Sequence, residues 1–319
     1  MNIEEKLNHF KNEVGKVIIG QEKVVELIFV SLLQKGHILF ESVPGTGKTM
    51  LSKAVAQAIG GTFKRIQFTP DVLPSDITGL NIYNPKTQEF ELRTGPVNTD
   101  ILLADEINRA TPRTQSALLE VMEEKQVTID GERIPVEEPF IVLATQNPIE
   151  SKQGTFDLPE AQLDRFLMKI NLGYPSRAEE KMMLNLHGTN NALNDVLPVF
   201  SKDEIVELQY KLSEMEVNDT TLDYILDLIH NSRNHEHIEV GVSPRGTIAL
   251  MQAAKGIALI HNRNYVTPDD IKYVAPYVLG HRLVLNIEGI TVTDASALVS
   301  DIINSSDVPV EYGVARDGV

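Results

Sequence analysis

His37-Ile38-Leu39-Phe40-Glu41-Ser42-Val43-Pro44-Gly45-Thr46-Gly47-Lys48-Thr49 is the stretch on which the fold turns. His37 to Phe40 lacks the alternation of a half-exposed strand and reads as a strand buried on both faces of a sheet. Thr49 to Ile59 carries apolar residues at helical spacing and stops at Gly60-Gly61. A strand, a glycine-rich loop and a helix in that order converge backbone N–H groups and a helix N-terminus on one point, which suits a phosphate. In such a loop Lys48 reaches the β- and γ-phosphates, and the Thr49 hydroxyl is a ligand for Mg²⁺. Pro44, Gly45, Thr46, Gly47, Lys48 and Thr49 are therefore the candidate nucleotide-binding residues.

One position departs from the full pattern G-x-x-x-x-G-K-[ST]. Ser42 stands where the first glycine belongs. If the backbone there needs a positive φ, the serine β-carbon costs roughly 1 kcal/mol.

Working outward, Ile101-Leu102-Leu103-Ala104 and Phe140-Ile141-Val142-Leu143-Ala144 are further apolar runs, and Phe63 to Phe68 is a weaker one. Short buried strands alternating with helices predict a parallel sheet with crossover helices. Thr111-Pro112 opens one such helix, with Leu118, Val121 and Met122 on one face. The run at 101–104 ends in Asp105-Glu106, which puts two carboxylates at the carboxyl edge of the sheet, where open α/β folds bind ligands. Beside a phosphate loop, Asp105 is placed to hold Mg²⁺ through its water shell and Glu106 to activate an attacking water.

Two segments interrupt the alternation. Pro70 to Pro96 reads as a hairpin-bearing insertion around Asn84-Pro85-Lys86, and Gln126 to Val136 as a hairpin around Asp130-Gly131. Each reads equally well as a plain solvent-facing hairpin.

After Tyr174-Pro175 the strands end. Ser201-Lys202-Asp203-Glu204 is a capping box, Leu222 to Ile229 marks another helix, Ser243-Pro244 opens a third and Thr267-Pro268-Asp269-Asp270 a fourth. The expected organisation is an α/β core over 1–175, a boundary at 176–195, a helical domain over 196–300 and a tail at 301–319.

Composition narrows the function. With 45 acidic against 29 basic residues the chain carries a formal charge of −16, which repels phosphate backbones and disfavours a nucleic-acid partner. The absence of cysteine excludes disulfides, thiolate metal sites and cysteine nucleophiles. The charged start MNIEEKLNHFKNE and the lack of a long apolar run predict no membrane insertion and a cytoplasmic protein. His230, His235 and His237 read as a polar helix end rather than a metal site.

VPGTGKT, LLADEINRATPRTQSALLEVMEE, FIVLATQNPIE and LPEAQLDRF, in that order, with GVSPRG and VTPDDI in the helical part, resemble the MoxR family of AAA+ ATPases. The resemblance runs from about Ile19 to His281. It implies an AAA+ core with a five-stranded parallel sheet, an all-helical lid, and ATP and Mg²⁺ as cofactors. Asn147 matches the sensor that orients the hydrolytic water, although Asn-Pro is also an ordinary turn signal. Arg165 matches the arginine finger that reaches a neighbouring subunit's site. Arg245 matches the second sensor, on its own or a neighbour's nucleotide. Val17 to Gln21 resembles the stretch beside adenine and equally suits plain core. Asn98 stands where the relatives commonly place an aromatic.

The expected function is ATP hydrolysis by a ring, expected to be a hexamer, that drives chaperone-like remodelling of protein complexes. Proteins with von Willebrand factor A domains are the implied partners. The rival readings are a metal-chelatase-type motor subunit and a slowly hydrolysing, nucleotide-gated scaffold. A nucleic-acid motor is opposed by the charge. GTP is disfavoured because no Asn-Lys-x-Asp motif is present.

Overall fold

Five short strands, three of them buried along most of their length, assemble the central sheet. The computed structural model describes residues 2–43, 45–147, 155–186 and 192–309. Its strands are β1 (Ile38–Ser42), β2 (Phe63–Gln67), β3 (Ile101–Asp105), β4 (Ile141–Gln146) and β5 (Met168–Leu172). They are all parallel, in the order β2-β3-β4-β1-β5. The phosphate-loop strand β1 and the acid-bearing strand β3 are therefore separated by β4. β5 is the strand that the sequence left unmarked, because Lys169 and Asn171 break its apolar run into an edge-strand alternation.

Side chains alternate across the sheet. Leu39, Leu102, Ala104, Val142 and Ala144 share one face and pack with Leu118, Val121 and Met122 of the helix Pro112–Glu124. The helix Lys48–Ala58 buries Leu51, Val55 and Ala58. At the opposite edge from the acids, His37 is buried between neighbouring elements. Its Nδ1 accepts the Val142 N–H at 2.9 Å, so its Nε2 donates to the Met122 carbonyl at 3.1 Å. Burial pushes its pKa down to about 4.

Both expected hairpins form, Gly79–Asn84 with Glu89–Thr94 and Gln126–Ile129 with Glu132–Pro135. Asp130 and Gly131 both have positive φ, 52° and 87°, as a two-residue hairpin turn with the strand twist requires.

The chain divides into two compact units, Met1–Glu214 and Met215–Val319. The expected boundary is thereby corrected in two ways. The stretch 176–195 holds the helix Arg177–Leu186 rather than only a linker. Residues 196–214 belong with the first unit, and the reason is side-chain anchoring. Phe200 stacks with Phe29 at 4.8 Å and lies edge-on to Phe10 at 5.9 Å. Gln209 Nε2 donates to the Leu32 carbonyl at 2.8 Å, and Lys202 pairs with the buried Asp100 at 2.9 Å. The two N-terminal helices that receive Phe200 and Gln209, Ile3–Gly15 and Glu22–Leu33, precede the alternating pattern.

The second unit is helical, with Asp219–Arg233, Pro244–Ile260, Pro268–Leu279 and Ala295–Ser305 as its main helices. A short antiparallel ribbon, Ile238–Val240 with Val284–Leu285, is added to what the sequence reads as all-helical. The last main helix runs to Ser305, five residues into the expected tail. Ser243 and Thr267 cap their helices through Gly246 and Asp270 N–H. Gly246 is required by close approach, since a β-carbon there would lie 2.5 Å from Val242 Cγ1 and 2.8 Å from Arg282 Cδ. Among the described residues no helix is long and apolar enough to cross a membrane.

Candidate active site

The residues that the sequence singles out are brought together mainly at the carboxyl edge of β1, β3 and β4. Gly45 and Gly47 take φ of +84° and +81°, and Gly47 is the N-cap of the helix that begins at Lys48. A side chain at either position would force a left-handed backbone, so both glycines are needed for the turn. A β-carbon on Gly45 would meet nothing within 4 Å, so the loop faces open space. On the other side the Ile18 side chain lies against Gly47. Pro44 lies outside the described residues.

Ser42 does not pay the strain that its β-carbon raised as a concern. It is the last residue of β1, pairs with Leu172 of β5 and is not among the positive-φ residues. The turn begins after it. Its hydroxyl instead engages the loop's lysine, with Lys48 Nζ donating to Ser42 Oγ at 2.8 Å. Thr49 occupies the first turn of the helix beside it and is partly buried.

Two strands away, Asp105 ends β3 with its carboxylate fixed on both oxygens. Thr145 Oγ1 donates to Oδ1 at 2.7 Å, while Arg65 donates to Oδ2 from Nε at 3.2 Å and Nη2 at 2.6 Å. Glu106 follows in the left-handed region at φ 58° and ψ 49°. A non-glycine residue in that region is uncommon, and here it turns the second carboxylate away from the sheet's hydrogen-bond ladder. The Glu106 N–H donates to Thr145 Oγ1 at 2.8 Å, so one threonine hydroxyl sets both acids. Glu106 Oε2 accepts from Gln67 Nε2 at 2.6 Å and from Arg109 Nη1 at 3.0 Å.

Asn147 is buried directly after β4, at the same edge of the sheet. The adjoining Gln146 Nε2 donates to Glu41 Oε1 at 3.3 Å, and Lys169 pairs with Glu41 at 2.9 Å.

Arg165 makes its contacts elsewhere in the first unit. Arg165 Nη2 pairs with Glu123 Oε2 at 3.1 Å, and its buried Nε has no partner among the described residues. Leu119, Glu120, Glu124 and Gln162 line the same cleft, of about 250 Å³. Among the described residues no hydrogen bond or ion pair joins Arg165 to Lys48, Asp105 or Glu106. Arg245 is exposed in the first turn of Pro244–Ile260, in the second unit.

Sequence reasoning missed Arg65, Gln67, Arg109 and Thr145. Thr145 sat within the quoted ATQNP run, and Arg65 and Gln67 alternate with Lys64 and Ile66 on β2, so a period-two reading of that strand would have put them together on one face of the sheet.

The donor chemistry fits a nucleoside triphosphate with a hard divalent cation. Backbone N–H groups and a lysine face anions at a helix N-terminus, and a hydroxyl and a carboxylate offer oxygen ligands. No cluster of three or more His, Cys, Asp or Glu suited to a metal ion exists among the described residues.

The family described as ATPase family associated with various cellular activities (AAA) matches residues 37–168, and an AAA lid domain matches 230–302. The uncharacterized protein YeaC of Bacillus subtilis is 49% identical over 95% of this chain and 95% of its own length. The chaperone MoxR1 of Mycobacterium tuberculosis is 44% identical over 87% of this chain and 75% of its own. The crystal structure of a Cytophaga hutchinsonii protein assigned as an ATPase superposes with a TM-score of 0.90 at 38% identity, covering 97% of this chain and 96% of that one. At these identities and coverages, the chain belongs to the MoxR family of AAA+ ATPases.

Proposed function

We propose that the chain hydrolyses ATP with Mg²⁺ and uses the cycle to remodel or mature protein complexes. The observation that carries this reading is the shared threonine. Thr145 Oγ1 donates to the Asp105 carboxylate and accepts from the Glu106 N–H, which fixes the first acid and the backbone that carries the second at the sheet edge that also bears the phosphate loop.

The roles follow from position. The loop N–H groups from Gly45 to Lys48 bind the phosphates, with the helix N-terminus adding its partial positive charge. Lys48 moves from Ser42 Oγ to the β- and γ-phosphate oxygens. Thr49 and Asp105 would hold the cation, which would neutralise charge on the phosphates. Glu106 takes the proton of the attacking water, and Asn147 orients that water. Arg165 exchanges Glu123 for the phosphate of a neighbouring subunit in a ring, read as a hexamer, and Arg245 contacts nucleotide as the second sensor. An arginine in that role is worth about 10³–10⁵ in rate. The relative's printed name, chaperone, supports a protein client, and the −16 charge supports a protein over a nucleic acid. Partners with von Willebrand factor A domains remain part of this proposal.

Phosphate release by wild type and Glu106→Gln tests it. Loss of about 10²-fold or more in the variant, with nucleotide affinity kept, is the expected result. Equal rates in the two proteins would overturn the reading.

A further inference from the structure

Asp105 does not face its site alone. Arg65 donates twice to Oδ2, and the same Nη2 donates to Gln67 Oε1 at 2.5 Å. Gln67 in turn donates to Glu106. One guanidinium thus contacts the first acid directly and the second through a single side chain. The partners differ in freedom. The Asp105 side chain is 9% exposed and fixed by Thr145, whereas Arg65 is 43% exposed. A buried carboxylate needs a compensating cation, and the cation here sits on the solvent side, where it can leave.

We infer that Arg65 is a resident counter-cation that competes with Mg²⁺ for Asp105. The inference rests on the proposed nucleotide chemistry of that acid. Arg65 occupies the acceptor positions of Oδ2, and its charge opposes a divalent ion whose water shell approaches the same carboxylate. Entry of the metal therefore requires Arg65 to withdraw, and withdrawal also removes the partner of Gln67 Oε1. Arg65 acts through Asp105 and Gln67 and is a positioning residue. It sets how strongly Mg²⁺ promotes nucleotide binding and links metal entry to the hold on Glu106.

The test is the ratio of dissociation constants for a fluorescent ATP analogue measured in EDTA and in saturating Mg²⁺, on the full-length chain. The expected result is that Arg65→Ala raises this ratio about ten-fold, the scale set by removing a like charge at short range near the surface. Arg65→Lys, which keeps the charge, stays close to wild type. Thermal unfolding supplies a second measurement. Arg65→Ala lowers the melting temperature when no nucleotide is added, and Mg²⁺ with nucleotide closes most of that gap. Arg65→Gln gives the same reading if alanine fails to fold. A ratio that is unchanged or lowered in the variants, with wild type still binding, overturns the inference alone. Absence of nucleotide binding by wild type overturns the nucleotide reading and this inference with it.

Discussion

Lys48 is held by Ser42, with its Nζ donating a 2.8 Å hydrogen bond to the serine Oγ. The lysine must give up this bond to meet a phosphate, so the serine competes with the ligand for the loop's cation. This bond is only partly buried, so its net worth is about 0.5–1.5 kcal/mol, and 1.4 kcal/mol is ten-fold in affinity. Ser42→Ala is expected to tighten nucleotide binding by about three- to ten-fold, read by equilibrium titration. Weaker binding in the variant would place the hydroxyl inside the phosphate cradle instead.

Gln67 and Arg109 both donate to Glu106 Oε2. A carboxylate held in this way is poorly disposed to accept a water proton. Gln67→Ala should raise the phosphate-release rate several-fold at saturating nucleotide without changing KM. A rate reduced by ten-fold or more would mean that Gln67 aims the carboxylate toward water.

The Arg165–Glu123 pair leads to a test of action between subunits. Glu106→Gln keeps its arginine and loses its own hydrolysis, while Arg165→Ala keeps its acids and loses the arginine. Mixing the two inactive proteins should restore hydrolysis well above the sum of the separate rates, since an intact Arg165 from one then serves intact acids of the other. No gain on mixing, under conditions where the proteins co-assemble, would confine Arg165 to its own chain.

His37 makes a pH-dependent contribution to stability whose sign is fixed. Its folded pKa is lowered from 6.5 to about 4, so the unfolded chain binds the proton more readily. The stabilisation is fully present above pH 6.5 and is lost as pH falls toward 4. At 1.36 kcal/mol per unit it reaches about 3 kcal/mol. Comparing wild type with His37→Gln by chemical denaturation between pH 7.5 and 4.5 isolates it from the carboxylates. Parallel stability curves for the two proteins would remove the assignment.

The fold was largely legible because its decisive signals are local. A buried strand, a loop with Gly45 and Gly47, and a helix starting at Lys48 lie within a dozen residues, and Asp105-Glu106 is read off one strand end. The missing parts are non-local. Arg65 and Gln67 acquire meaning only because β2 pairs with β3 and sets Gln67 opposite Asp105. Phe200 and Gln209 look like the start of the helical domain until Phe29 and Leu32 are seen to hold them in the first unit. Ser42 looked costly for the opposite reason: spacing alone cannot reveal whether a position lies in the strand or in the turn, and the strand runs one residue further than the motif suggests.

The placement of β4 between β1 and β3 has a mechanical meaning. Two strand spacings of about 4.8 Å each set Lys48 and Asp105 on tracks roughly 10 Å apart. β4 is paired in parallel on both sides, through 141–144 to β3 and 143–146 to β1, so the tracks cannot slide or spread without breaking these ladders. The sheet edge therefore works as a rigid gauge against which a ligand is measured. The adjustable parts are side chains, Arg65 and Gln67 mounted on it and Lys48 on the helix that follows β1.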